Sequence, residues 1–136
     1  ALDRTFSLDT MLMEYPSHGN GDFREPAIQL QFEDGSTICD FRYQDYHIFD
    51  GKKDLPGLPA TYADEKQAQT LELVLVDEVA KLRLILSYTI FKDAAVLTRS
   101  ARLENLSNQT VAIQRLASSN LDFYARELEI IDLHGA

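Results

Sequence analysis

Residues 80–105 read AKLRLILSYTIFKDAAVLTRSARLEN, and this stretch decides the fold class. Its apolar side chains recur at every second position, which is the period of a β-strand, whereas a helix would scatter them around its circumference. The alternating apolar positions are Leu82, Leu84, Leu86, Tyr88 and Ile90. The polar KDA that follows is turn-like, so residues 79–92 and 95–104 predict an antiparallel hairpin.

The sequence on both sides of this hairpin continues the pattern. Residues 69–77 (QTLELVLVD) and 110–124 (TVAIQRLASSNLDFY) each predict a strand, and residues 127–136 (ELEIIDLHGA) predict a last one. Two prolines and a glycine make residues 54–68 a long loop. A helix over residues 64–76 is the alternative, because DEKQAQTLEL contains good helix formers.

The amino-terminal half predicts a second hairpin. Ile28, Leu30 and Phe32 alternate with glutamine, EDGS at 33–36 supplies an Asp-Gly turn, and apolar residues resume at Ile38. YHIFDGKK predicts a further strand that ends at Gly51. Eight or so strands with polar turns predict an all-β domain, an antiparallel β-sandwich of two packed sheets.

Composition and charge argue against several classes of function. The 136 residues make one domain, and 13 basic against 22 acidic residues give a net charge of −9. Such a surface repels phosphate backbones, which argues against nucleic acid as a partner. The apolar runs are too short and too charged for a membrane span. Cys39 is the single cysteine, which favours a reducing compartment and a cytoplasmic protein.

Residues that could carry chemistry are present but poorly patterned. His18, His47 and His134 are irregularly spaced, so we predict no metal site. No nucleophile elbow or phosphate-binding glycine loop occurs. A pair of carboxylates could serve a glycosidase, and the acids that fall near loops or strand ends are Asp3, Asp9, Asp22 and Asp122. We interpret them as turn residues and solvated charges. The chain has no tryptophan, which argues against a stand-alone sugar-binding module.

An ordered set of motifs covers nearly the whole chain. The motifs are SLDT at 7–10, EYP at 14–16, DFR at 22–24, EDGS at 33–36, GLPATY at 57–62 and TLEL at 70–73. Their order and spacing resemble the amino-terminal region of bacterial α-galactosidases of glycoside hydrolase family 36. The resemblance implies a β-supersandwich domain that precedes a catalytic (β/α)₈ barrel.

The same resemblance implies a division of labour. The two catalytic aspartates of the family belong to the barrel, and its Lys-Trp-Asp motif does not occur in this chain. Residues 1–136 would therefore be a partial amino-terminal β-sandwich domain, truncated at both ends, with no catalytic residue and no cofactor. Its intact enzyme would be a retaining hydrolase that releases α-galactose from raffinose-type sugars.

Three residues are candidates for substrate binding on this resemblance. Arg4 would approach the substrate pocket, because a guanidinium can donate hydrogen bonds to sugar hydroxyls. Asp22 and Arg24 could pair to fix the loop EYPSHGNGDFR near the barrel mouth or a subunit contact. The domain would shape the active-site rim and contribute to oligomer contacts, since the family commonly forms tetramers. A stand-alone carbohydrate-binding module, a purely structural domain and an α-N-acetylgalactosaminidase remain alternatives.

Overall fold

The computed structural model describes residues 8, 11–21, 23–57, 60–124, 127–129 and 131. Its six strands are β1 (Ile28–Phe32), β2 (Arg42–Asp50), β3 (Ala68–Asp77), β4 (Leu82–Phe91), β5 (Leu97–Asn105) and β6 (Val111–Leu116). They form a four-stranded sheet in the order β2-β3-β4-β5 and a two-stranded sheet of β1 and β6, both antiparallel. The predicted all-β architecture of two antiparallel sheets is confirmed. Within the described ranges, no helix has the length and apolar character that crossing a membrane requires.

The hairpin predicted from residues 79–105 is β4 and β5. Leu84 lies opposite Leu103 and Leu86 lies opposite Ala101, so the alternating apolar positions of both strands share one face. β3 pairs with β4 along its whole length, from Ala68 opposite Phe91 to Asp77 opposite Leu82. The strand predicted over residues 69–77 is therefore confirmed, and the helix over 64–76 is wrong.

The hairpin predicted at EDGS is wrong in its pairing. The turn itself forms, since the Ser36 carbonyl accepts a bond from the Phe32 amide and the Asp34 carboxylate accepts one from the Ser36 amide. However, β1 pairs with β6, and β2 pairs with β3 in the other sheet. The chain after the turn crosses between the sheets, where Cys39 is buried and the Asp40 amide donates to Asp77.

Two other predicted strands differ from the structure. β6 ends at Leu116, because the chain beyond it makes its hydrogen bonds to the segment before β1 rather than along a ladder. Residues 127–129 and 131, which belong to the predicted last strand, are not in a strand, and its other residues lie outside the described part.

The core lies between the two sheets. Leu82, Leu84 and Leu86 of β4 pack with Ile28 and Leu30 of β1 in one buried cluster. Full burial of one such side chain stabilises the fold by about 1.5–3 kcal/mol. The two-stranded sheet covers only part of this face, so Tyr88 is half-buried and Ile90 is exposed.

On the opposite face of the four-stranded sheet, the part beside the loop that follows β2 is polar, whereas Val74 and Ile85 farther along that face are buried. Gly51 begins this loop with φ +82°, and a Cβ there would lie 3.3 Å from the Asp64 carbonyl carbon and the Glu65 nitrogen. Only glycine suits both the left-handed backbone and this close approach. The Lys52 amide then donates to the Ala63 carbonyl and closes the loop.

Candidate functional site

The candidate site lies where the chain enters β1 and leaves β6. Because these strands are antiparallel, with Ile28 opposite Leu116, the residues before one and after the other emerge at the same end of the sheet. We call residues 11–21 and 23–27 the opening loop and residues 117–124 the return segment. The Ala117 amide donates to the Ala27 carbonyl and continues the pairing beyond the strands.

The opening loop folds back on its own strand. The Pro16 carbonyl accepts bonds from the Ala27 and Ile28 amides. Gly19 has φ +92°, and a Cβ there would lie 2.9 Å from Cγ1 of Ile38, so this position requires glycine. Asn20 Nδ2 donates to the Cys39 carbonyl at 2.6 Å and ties the loop to the crossing segment. The stretch around Gly19 and Asn20 is therefore part of an ordered loop.

An ion pair joins the two segments. Arg24 of the opening loop pairs with Asp122 of the return segment and also donates to the Leu8 carbonyl at 2.6 Å. Asp122 further accepts the Met13 amide at 3.0 Å. The Met13 amide, with a smaller contribution from Arg24, lowers the pKa of Asp122 against the opposing effect of burial. Asp122 therefore stays ionised and holds both ends of the loop.

Arg99 forms a second junction beneath the loop. Its guanidinium pairs with Glu14, donates to the Asn120 carbonyl and approaches the Tyr88 hydroxyl at 3.4 Å. The Tyr88 hydroxyl donates to Glu14 Oε1 at 2.6 Å. Only 11% of the Arg99 side chain is exposed, whereas 57% of the Glu14 side chain is. One arginine thus connects β5, the opening loop and the return segment.

Two tyrosines beside this junction should give the chain an alkaline transition. Burial raises the pKa of both Tyr15 and Tyr88 from 10.0 to about 12; Glu14 adds to the effect on Tyr88, and Arg99 opposes it on both. The folded state therefore keeps protons that the unfolded state has released in this range. Stability should be full below about pH 10 and should fall progressively towards pH 12. Denaturant midpoints measured across this range test the prediction.

The matched variants are Tyr15→Phe and Tyr88→Phe. Each removes a group that titrates late, so the double variant should lose stability less steeply over the same pH range than the wild-type chain. Tyr15→Phe also removes the bond to the Ala117 carbonyl and should lower stability at neutral pH. An equal slope in the double variant would show that other groups cause the alkaline loss.

The three predicted substrate-binding residues have different outcomes. Arg4 and Asp22 lie outside the described residues, so their roles, and the proposed pairing of Asp22 with Arg24, stay predictions. Arg24 is placed in the junction by its bonds to Asp122 and Leu8. Sequence reasoning missed Arg99, although it falls among Leu97, Ala101 and Leu103 on the apolar face of β5. The sequence did contain a signal for Arg99, because it is a single arginine at a position where the alternation of the strand predicts an apolar residue.

A cavity and two exposed aromatic rings adjoin these junctions. A cavity of about 430 Å³ lies beside the opening loop, with Met13, Tyr15 and Asn20 in its lining. Phe23 is 90% exposed beside Arg24, and Phe123 is exposed beside Asp122. Among the described residues, the two carboxylates of the junctions are both paired with arginines. No three His, Cys, Asp or Glu side chains in that part of the chain are grouped to hold a metal ion.

Comparisons with known proteins agree with this architecture. The model of the glycosyl hydrolase family 36 N-terminal domain matches residues 1–136. Alpha-galactosidase AgaA of Geobacillus stearothermophilus is 49% identical over 135 residues, 98% of this chain and 18% of that protein. The bifunctional alpha-galactosidase/sucrose kinase AgaSK of Mediterraneibacter gnavus is 42% identical over 134 residues, 98% of this chain and 14% of that protein.

Solved structures give the same result. An AgaA variant crystallised in complex with raffinose superposes with a TM-score of 0.83 at 51% identity, over 86% of this chain and 16% of that one. AgaB of the same organism superposes with a TM-score of 0.82 at 49% identity, over 86% of this chain and 16% of that one. The chain thus spans less than a fifth of the length of these relatives.

Proposed function

This chain belongs to the glycosyl hydrolase family 36 N-terminal domain family, and we propose that it is the non-catalytic β-sandwich of a longer α-galactosidase. The observation that carries the proposal is the match over all 136 residues to the amino-terminal domain of such enzymes, with 49% identity to AgaA. The substrates would be α-galactosides of the raffinose type, hydrolysed with retention by a barrel elsewhere in the polypeptide. The enzyme would be cytoplasmic.

An exposed apolar face supports a longer polypeptide. Tyr43, Tyr46 and Ile48 of the edge strand β2 are 61%, 53% and 59% exposed. Their side chains continue the same face of the sheet as the core residues of β3, because each lies opposite an apolar β3 residue. An apolar face of this extent is typical of a surface that packs against more protein. We propose that further parts of the same polypeptide or its oligomer cover it.

The junctions at Arg24 and Arg99 support a role in shaping the active-site rim. Both fix the opening loop to the return segment, so the loop has one position rather than many. A rim that is fixed in advance positions a substrate without a further entropic cost. Arg4, Asp22 and Arg24 would act there, either on the sugar or by holding the loop.

The test uses the polypeptide extended to the length of its relatives. It should hydrolyse raffinose, whereas residues 1–136 alone should not. Asp122→Asn should lower kcat/KM by on the order of 10-fold or more, because a small misplacement of a positioning loop is costly. Asp45→Asn is the matched control, since Asp45 is exposed on β2 and its carboxylate accepts the neighbouring Tyr46 amide.

Each outcome separates one part of the proposal. An extended polypeptide without hydrolytic activity would overturn the proposed enzyme. Equal kcat/KM for Asp122→Asn and the wild type would overturn the role of the rim while leaving the enzyme intact. Galactoside binding by residues 1–136 alone would favour the stand-alone carbohydrate-binding module.

A further inference from the structure

A small cavity with an unusual lining lies on the face of the four-stranded sheet opposite to the core. It has a volume of about 190 Å³ and lies between that face and the loop that begins at Gly51. Its lining has five hydroxyl side chains: Thr61 from the loop, Ser87 and Thr89 from β4, and Thr98 and Ser100 from β5. The volume equals that of about six water molecules.

The strand register brings four of these hydroxyls together. Ser87 lies opposite Ser100, and Thr89 lies opposite Thr98, so the two pairs are adjacent rungs of one ladder. Side chains of directly opposed residues have Cβ atoms about 4.5–5.5 Å apart. The Thr70 hydroxyl donates its one hydrogen to the Gly51 carbonyl at 2.6 Å, so the Thr89 hydroxyl donates its own hydrogen to Thr70 at 2.8 Å. The sheet therefore presents a fixed square of hydroxyl groups to the cavity.

Lys52 supplies a positive charge to the same cavity. Its Nζ is buried and is the one such side-chain atom without a hydrogen-bond partner among the described residues. An ammonium carries three donors, and leaving them unsatisfied in a buried position is costly. The neighbouring Lys53 differs, because it pairs with Glu72 at 3.0 Å.

The charged residues in the lining of this cavity are of one sign. Within the described lining, the charged residues are Lys52 and Arg99, and no carboxylate is present. The Arg99 guanidinium is committed to Glu14 on the opposite face of the sheet, so Lys52 provides the free charge. Lys52 also lines two neighbouring depressions that contain acidic residues, of which Asp50 pairs with Lys92 and Glu72 pairs with Lys53. The lining of the small cavity itself is basic in a chain of net charge −9.

We propose that this cavity is a binding site for a small oxyanion. The acceptor oxygens of a phosphate or sulfate ion, or of a carboxylate, would take hydrogen bonds from the Lys52 ammonium and from the Ser87, Thr98 and Ser100 hydroxyls of the square. The lining does not suit a hard metal cation, which needs oxygen ligands such as carboxylates. This proposal does not depend on the proposed galactosidase function.

The test is thermal unfolding of the 136-residue chain in sodium phosphate and in sodium chloride of equal ionic strength. At a phosphate concentration of about ten times Kd, Tm should rise by about 3–6 °C relative to chloride. Lys52→Met should abolish this rise. Lys66→Met is the control, because Lys66 is exposed and does not line the cavity, and it should keep the rise.

A second variant keeps the test decisive if Lys52→Met does not fold. Thr98→Val keeps the side-chain volume and removes one hydroxyl, so it should weaken phosphate binding while leaving Tm in chloride nearly unchanged. A phosphate effect that persists unchanged in both variants, or that chloride reproduces, would overturn the proposal. A parallel titration with sodium acetate identifies which oxyanion the cavity binds. Equal stabilisation by acetate indicates that the natural occupant is a protein carboxylate. Stabilisation by phosphate alone indicates that it is the free phosphate ion.

Discussion

Replacing Leu84 by alanine is expected to lower the free energy of unfolding by about 2–5 kcal/mol, measured by urea denaturation. Leu84 is 1% exposed and lies on β4 opposite Leu75 on one neighbouring strand and Leu103 on the other. Its side chain belongs to the buried cluster that includes Ile28 and Leu30 of the second sheet. Truncation would remove the share of the contact between the sheets that Leu84 makes and leave a cavity that the rigid ladders cannot close.

The control for this prediction is on the same face of the same strand. Ile90 shares the alternation of Leu84 but is 54% exposed, because the two-stranded sheet does not extend over it. Ile90→Ala should therefore cost less than about 1 kcal/mol. Equal losses in the two variants would mean that the two-stranded sheet does not create the difference in burial along β4.

This pair of residues also shows how far the sequence could predict the fold. Alternation predicted that Leu84 and Ile90 share a face, and the register confirms it. Alternation carries no information on what covers the face, since that depends on β1 and β6, which are distant in the chain. The local pattern therefore could not predict that Leu84 is buried and that Ile90 is exposed.

The error at EDGS has the same physical origin. An Asp-Gly turn is a local signal, and the turn after Phe32 does form. The choice of β6 as the partner of β1 depends on contacts across about 80 residues, and turn chemistry does not report them. Sequence reasoning thus predicted the elements more securely than their pairing.

The candidate site was predictable to a similar degree. The resemblance drew attention to Arg24, and the structure adds Asp122 as its partner, 98 residues away. Lys52 and the hydroxyl square were not predicted. Serine and threonine at alternate positions of β4 and β5 look like an ordinary solvent-facing side of a strand, and only the loop after Gly51 makes them a cavity lining.

Replacing Arg99 by methionine is the other change with a large expected effect. Methionine keeps an unbranched side chain but removes the donors to Glu14 and to the Asn120 carbonyl and the guanidinium that lies over the Tyr88 ring. Charge-assisted bonds of this kind contribute about 1.5–3 kcal/mol each, and the exposure of Glu14 reduces its share. We expect the free energy of unfolding to fall by about 2–3 kcal/mol. Amide hydrogen exchange should accelerate most in the opening loop and the return segment.

The control is Arg42→Met, because Arg42 is 82% exposed in its ion pair with Asp40 and should change stability by no more than about 0.5 kcal/mol. Unchanged exchange in the opening loop of Arg99→Met would show that Arg24 and Asp122 hold the loop alone. A gain in stability would show that the free-energy cost of removing the Arg99 charge from water exceeds the stabilisation that its hydrogen bonds provide, as occurs for some buried ion pairs. In that case Arg99 would position the loop of the active-site rim and would not stabilise the fold. A charged side chain that lowers the folding stability from an apolar face has a role other than folding.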